Sequence, residues 1–569
     1  MKHVPTPERS AVTSLRTAGR TSVLIVGGGI NGIATFRDLA MQGVDVVLVE
    51  RSDFASGATA ASSHMIHGGG RYLENGEFRL VRESVQERNS LLKIAPHFVR
   101  PLQTTIPIFS TFSGILSAPL RFLRHGSGRP QERGAALIKI GMMIYDLFSR
   151  DGGSVPRHKF LGRDASRAAF PELDPRVKYT ASYYDASVHD PERLALDVLL
   201  DGLAANKRAH AVNYVEAIGM EANGVRLRDH ETGEEFTVAA DVVVNASGPW
   251  TDLTNGAFGR STELMGGTKG SHIVLDNPEL LAATHGNEIF FEHSDGRIVL
   301  IYPLKGRVLV GTTDIEADPR ERAVCTEEEV DYFFDLIGHV FPGIAVDRSD
   351  IVFRYSGIRP LPSHGDLAPG FVSRDYHVTL DQAENRPPVL SLVGGKWTTF
   401  RALGAELADR ALEVIDRPRS GSTVGVPIGG GADYPASPEA RRDWLSRNLP
   451  RLDSVRRELL FERYGTRAAA VAAFMDAGTD SVLVGGVLST RELEYLVRRE
   501  HVVHLTDVVL RRTSLAFTGG ATAAVLDELG RALAPILGWD DFALDHEIER
   551  CAAELERYHG VAVHAATAS

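Results

Sequence analysis

Residues 22–50 read SVLIVGGGINGIATFRDLAMQGVDVVLVE: an apolar run, a glycine turn, a helical period, a stop and a second apolar run. That order is a βαβ unit, and it sets the fold class as α/β. The helix is expected to begin near Asn31, to keep Ile33, Phe36, Leu39 and Ala40 on one face, and to end at Gly43, where a left-handed cap suits glycine. The second run, 44–50, is almost continuously apolar, as befits a strand buried on both faces of a parallel sheet. Gly27, Gly29 and Gly32 form a G-x-G-x-x-G turn between strand and helix, and Glu50 closes the next strand 18 positions later. Gly27 permits the tight turn, Gly29 lets backbone approach a pyrophosphate, and Gly32 allows close helix packing. The amides and dipole of the helix that opens at Asn31 favour phosphate, and Glu50 is placed to accept a ribose hydroxyl. The turn does not by itself separate NAD from FAD.

Working outward, DVVVNASG (241–248) and LSLVGGKWTTF (390–400) read as returns to the parallel sheet. Between about 177 and 352 lie short alternating runs, SHIVL (271–275), RIVLIY (297–302) and RVLVGTT (307–313), which predict an inserted antiparallel β-sheet. Beyond 430 the periods become helical, as in ARRDWLSRNL (440–449) and RELEYLVRREHV (491–502). The expected organisation is a loose N-terminal extension over 1–20 and an oxidoreductase domain over 21–430, followed by an all-α C-terminal domain over 435–569. Within the second, a Rossmann-like part is discontinuous over about 21–110, 150–260 and 350–430, and the antiparallel substrate part lies mainly over 260–350.

The 569-residue chain carries a formal charge of −12, which gives no support to a general affinity for nucleic acid. Its two cysteines, Cys325 and Cys551, are too few for a disulfide framework or a thiolate cage and suit a reducing compartment, the cytoplasm. No uncharged apolar run reaches the roughly 18 residues of a spanning helix. Twenty histidines show no H-E-x-x-H or regular ligand spacing, so no metal site is expected. No G-x-S-x-G elbow supports nucleophilic hydrolysis.

The segment SGATAASSHMIHGGGRYLE (56–74) is rich in small residues, which lets backbone lie against a flat cofactor. With GGGINGI (27–33), NASGPW (245–250), KGSHIV (269–274), VGTTD (310–314), YSGIRPL (355–361), SRDY (373–376) and GGKWTT (394–399), it resembles the FAD-dependent glycerol-3-phosphate dehydrogenase family. That family lies within the wider glycine oxidase and D-amino-acid oxidase-like flavoproteins. RYG (463–465) and DVVLRRT (507–513) resemble the family's helical cap domain. The resemblance implies FAD as cofactor. It implies a cofactor site of Gly27, Gly29, Asn31, Gly32, Glu50, Arg51, Ser62, Ser63, Met65, His67, Gly68, Ala246, Gly248, Trp250, Gly395, Lys396 and Thr398. His64, Met65 and Gly70 stand where the family usually has lysine, leucine and leucine, so the fine shape of the pocket is left open.

Oxidising a secondary alcohol phosphate with flavin requires a group that takes the hydroxyl proton and cations that fix the phosphate. Guanidinium groups suit the second task, and the family positions correspond to Arg359 and Arg374, with Arg71 nearby. His272, in an apolar alternating run, is the first choice of base because a neutral imidazole accepts a proton near pH 7. A histidine simply packed on a sheet is the plain alternative. Tyr72, Lys269 and Lys396 are further orienting or relay candidates. A helix expected over about 398–415 would aim its positive end, with Lys396, at the flavin's pyrimidine edge.

The implied activity is oxidation of sn-glycerol 3-phosphate to dihydroxyacetone phosphate, with electrons passed to quinone or another acceptor. Another polyol phosphate such as erythritol phosphate, an amine or amino-acid oxidase, and a non-catalytic flavin-binding protein are the alternatives. Residues 101–144 hold one acid, Glu132, among Arg121, Arg124, Arg129, Arg133 and Lys139 and several aromatic residues. This basic apolar stretch suits peripheral contact with the inner face of the cytoplasmic membrane, and a loop followed by a core helix is the competing reading. A homodimer is compatible with all of this.

Overall fold

The strand Arg20–Val26 lies parallel to Val46–Val49 on one side and to Glu235–Asn245 on the other, so its backbone is paired along both edges, while Val23 and Ile25 bury in one core cluster and Leu24 and Val26 in another. The structure, a computed structural model, describes residues 7–69, 78–110, 138, 142, 156–292, 298–363 and 375–563. The first sheet runs 377–381, 389–393, 235–245, 20–26, 46–49 and 209–212, parallel except at the 377–381 edge, and the antiparallel strands 215–221 and 224–229 join it through the start of 235–245. The helix Ile30–Met41 packs between the helices Pro191–Ala205 and Phe400–Val414, and Gly43 takes the left-handed conformation expected of it.

The second sheet runs 315–316, 265–275, 307–311, 298–304, 288–292, 99–108, 179–188 and 65–66, with 351–362 paired to the far side of 265–275. It therefore draws strands from well outside 260–350. The reason is non-local pairing: Val99–Ile108 runs parallel to Glu288–Glu292 and antiparallel to Tyr179–Val188, and neither partner is near it in sequence. Residues 101–108, the start of the stretch expected at a membrane, are consequently interior to this sheet. Met142 is buried against Ile108 and Ala181, and the rest of 111–144 apart from Ile138 lies outside the described residues.

The loose extension expected over 1–20 is corrected by a helix at Pro7–Ala18. Proline at its start is preorganised for a first turn, and Val12 and Leu15, three apart, bury on the parallel sheet beside Leu24 and Val47. The C-terminal part is built of helices from Pro438–Asn448 to Asp541–His559. Several are capped by Ser437, Asp453, Thr522 and Asp540, each accepting a first-turn amide. A two-residue ladder, Val482–Leu483 with Leu488–Ser489, interrupts the otherwise helical pattern. Among the described residues no helix is long and apolar enough to cross a membrane.

Candidate active site

The glycine turn is shaped by its neighbours. Gly27 has φ +114°, and a Cβ on it would meet the Ala246 carbonyl oxygen at 2.6 Å, while one on Gly32 would meet the Gly27 carbonyl oxygen at 2.1 Å. Glu50 accepts the Gly28 amide at 2.7 Å and the Ser52 amide at 2.9 Å, so its carboxylate stitches the end of the second strand to the turn. Burial pushes its pKa above the usual glutamate value against those two donors. The helix N-cap, Gly29, has no side-chain cap. Thr59 takes the Ile30 amide at 3.0 Å, and Asn31 Oδ1 is buried without a hydrogen-bond partner among the described residues.

Other segments close on this turn. Gly395, at φ +109°, brings backbone so near Asn31 that a Cβ would lie 2.6 Å from its Nδ2. Trp397 Nε1 donates to the Thr59 carbonyl at 3.0 Å, and the Thr398 hydroxyl donates to the His67 carbonyl at 3.3 Å. The Gly68 amide donates to Asp185 at 2.9 Å, and Arg88 donates to the same carboxylate oxygen at 2.8 Å. Arg51 lies over the Trp250 ring at 4.6 Å, Gly57 packs against that ring, and Gly248 turns with φ +64°. Met65 packs against the C-terminal cluster and Lys396 Nζ reaches Ser84 Oγ at 3.3 Å. The glycines let these backbone segments close on one another around the start of the helix, where Gly29 contributes no side-chain cap and Asn31 Oδ1 stays without a partner among the described residues, an arrangement that fits the phosphates of a dinucleotide cofactor.

The antiparallel sheet supplies a second surface. His272 pairs with Tyr355, Gly270 with Gly357 and Thr268 with Arg359, so the two-residue period puts all six on one face. That face meets the 61–63 segment. Ser63 Oγ is 2.9 Å from His272 Nε2, and the hydroxyls of Tyr355 and Tyr302 donate to the carbonyls of Ser62 and Ser63 at 2.8 and 3.0 Å. Three glycines floor the surface. A Cβ on Gly270 would fall 2.1 Å from the Arg359 guanidinium, one on Gly311 2.1 Å from the His272 ring, and one on Gly357 2.3 Å from Ala61.

His272 is buried and stacks on Tyr355, with ring centroids 4.8 Å apart and planes 12° from parallel. Burial first, then the Arg359 charge and His64, hold its pKa well below the ordinary histidine value, so the ring is neutral at physiological pH. Arg359 is half-buried and is aimed by Asp314 Oδ1 at 3.0 Å, Thr312 Oγ1 at 3.0 Å and the Thr313 carbonyl at 2.8 Å.

Lys269 is not part of this surface. It points from the opposite face of the strand, where Nζ donates to Glu329 at 2.8 Å and to the Val324 carbonyl, because strand alternation separates it from His272. Arg71, Tyr72 and Arg374 lie outside the described residues. The sequence reading missed Tyr355, Tyr302 and Asp314. Tyr355 was within reach, since it stands four positions before Arg359 on a strand and therefore shares its face.

A dinucleotide turn combined with an inserted antiparallel sheet is the architecture of a flavin-dependent oxidoreductase. The chain belongs to the FAD-dependent oxidoreductase family, whose profile matches residues 22–401; the C-terminal domain of alpha-glycerophosphate oxidase matches residues 421–543. FAD is accordingly its cofactor. A glycerol-3-phosphate dehydrogenase of Synechocystis sp. is 33% identical over 94% of this chain and 95% of its own. A D-erythritol 1-phosphate dehydrogenase of Brucella abortus is 33% identical over 86% of this chain and 93% of its own. The X-ray structure of a glycerol-3-phosphate dehydrogenase from Bacillus halodurans complexed with FAD covers 97% of both chains with TM-score 0.73 at 21% identity, and so shares the fold.

Proposed function

We propose that the protein oxidises the secondary alcohol of a small polyol phosphate, with sn-glycerol 3-phosphate going to dihydroxyacetone phosphate. The observation that carries this reading is the placement of His272 and Arg359 on one glycine-floored face, turned toward the cofactor segment. Bound FAD supplies the hydride acceptor.

The remaining work falls to side chains. His272 is 2% exposed while Ser63 is partly exposed, so the hydroxyl proton enters at Ser63 Oγ, which passes its own proton to His272 Nε2. Arg359 is the phosphate anchor, preset by Asp314 and Thr312. The two roles are coupled: burial first and then the Arg359 charge depress His272 basicity, and a phosphate dianion against that guanidinium offsets the second, smaller contribution. The imidazole thus becomes a better base when the correct anion is seated. Arg71, Tyr72, Arg374 and Lys396 complete the proposed site.

Erythritol phosphate is a second substrate reading, supported by the equal identity of the Brucella relative. A quinone acceptor, and with it contact of the basic apolar stretch near 111–144 with the inner membrane face, belongs to the same proposal and is supported by that stretch's composition. Anaerobic titration of the flavin absorbance with glycerol 3-phosphate, erythritol 1-phosphate and glycerol tests the reading. Bleaching by a phosphate and not by glycerol is expected, and no bleaching by either phosphate would overturn it.

A further inference from the structure

Asp53 lies three residues beyond Glu50, and its carboxylate is wholly shielded from solvent. The groups that neutralise it come largely from the C-terminal helical part. Arg512 grips it with Nη1 at 2.6 Å and Nη2 at 2.9 Å, Arg511 donates from Nε, and Asn213 Nδ2 adds a bond at 3.0 Å. Arg511 also donates to Asp507 at 2.8 Å, where the Tyr214 hydroxyl arrives at 2.6 Å. Arg512 spends its Nε and Nη2 on the Glu500 carbonyl as well. Two guanidinium groups and two carboxylates balance in a dry junction, where removing one partner strands the rest.

This junction is tied to the cofactor turn through backbone. The Ala55 amide donates to the Gly28 carbonyl at 2.9 Å, the Tyr214 amide to the Ser52 carbonyl at 3.0 Å, and the Ser52 and Gly28 amides both donate to Glu50. Phe54, fully buried, meets His501 edge-on, and a Cβ on Gly28 would sit 2.8 Å from both Phe54 and Glu50. The 50–56 loop therefore cannot shift without carrying the glycine turn along with it.

We infer that Arg511 and Arg512 are positioning residues for FAD: by holding Asp53, the C-terminal part fixes the Glu50 loop and sets how tightly the cofactor is retained. The inference rests on residues 27–32 and Glu50 being the FAD site. Neither arginine touches the turn itself, so the effect is exerted on cofactor affinity through the loop.

The test is titration of the full-length apoprotein with FAD, read by flavin fluorescence and visible circular dichroism, in Asp53→Asn, Arg512→Lys and Arg456→Met. Arg456 is the control, since its buried bond to Glu492 at 2.8 Å lies within the helical part. Asp53→Asn is expected to weaken FAD binding about tenfold or more, the scale at which outer partners of ligand-holding groups act in metal sites. Arg512→Lys, which keeps the charge and loses the fork, should fall between it and wild type. Arg456→Met should lower the melting temperature and leave FAD affinity unchanged. Folded Arg512→Lys with wild-type affinity and flavin dichroism, or an equal loss in Arg456→Met, would overturn the inference. If Asp53→Asn does not fold, Arg512→Lys decides alone. Failure of wild type to bind FAD would instead remove the cofactor reading beneath it.

Discussion

Glu329 and Glu288 sit against opposite faces of the same antiparallel sheet, 3% and 0% exposed, and their carboxyls move in opposite directions. Glu329 receives Lys269, the Ser271 and Thr313 hydroxyls and the Thr326 amide, and these donors hold its pKa below the usual value in spite of burial. Glu288 shares the His272 face, receives the Thr104 hydroxyl at 2.6 Å, and has Oε1 unpaired among the described residues. Burial pushes it up to about 8, and Asp185 adds repulsion. Burial alone does not decide a charge; the count of donors does. The far face is a closed structural network, whereas on the site face His272 Nδ1 and Glu288 Oε1 are left without partners among the described residues.

Four substitutions break or sharpen that contrast. The largest effect is expected on the site face, where His272→Ala should lower kcat by roughly 10²–10⁴-fold, the range of general base catalysis, with FAD content retained in the purified protein. Arg359→Ala should raise KM for the phosphorylated substrate on the order of 100-fold, as loss of a half-buried charge-assisted contact does, again without loss of flavin absorbance. On the far face, Glu329→Gln should cost about 2–3 kcal/mol in denaturant unfolding and leave KM within error, because it strands Lys269. A substantial KM change there would erase the distinction between the faces.

Glu288→Gln is the smallest change and has the opposite sign, a gain of roughly 1–2 kcal/mol at pH 8. A raised carboxyl stabilises fully below its unfolded pKa of 4.5 and loses that contribution as pH climbs toward about 8, so the variant should flatten the alkaline side of the stability profile. Glu329, lowered, stabilises above 4.5 and loses its contribution on acidification, so Glu329→Gln should flatten the acid side. Melting temperatures across pH 4–9 for both variants check the pair of signs.

The βαβ unit was legible nearly to the residue, since the Ile30–Met41 helix and the Gly43 cap follow from local periods and glycine conformation. The N-terminal helix was missed because its few apolar positions, Val12 and Leu15, acquire meaning only against a sheet formed later in the chain. For the same reason residues 101–108 were included in a stretch read as suited to peripheral membrane contact: the basic and apolar neighbourhood is local, while the pairing to 288–292 is not. Of the proposed site, motifs single out His272 and Arg359, which the strand pairing sets on one face, but Thr59 on the Ile30 amide and Arg512 on Asp53 join positions 29 and 459 residues apart, and nothing in a one-dimensional pattern announces them. Lys269, named as an alternative relay group, stands three positions before His272 and so falls on the opposite face of the strand.

The floor of Gly270, Gly311 and Gly357 also limits how the enzyme can diverge. Even one methyl group at these positions meets the guanidinium, the imidazole or Ala61, so their codons should remain almost invariant in any selected library. Changes of substrate range would then accumulate on the facing 61–63 segment, and exchanging that segment between relatives becomes a direct way to exchange specificities.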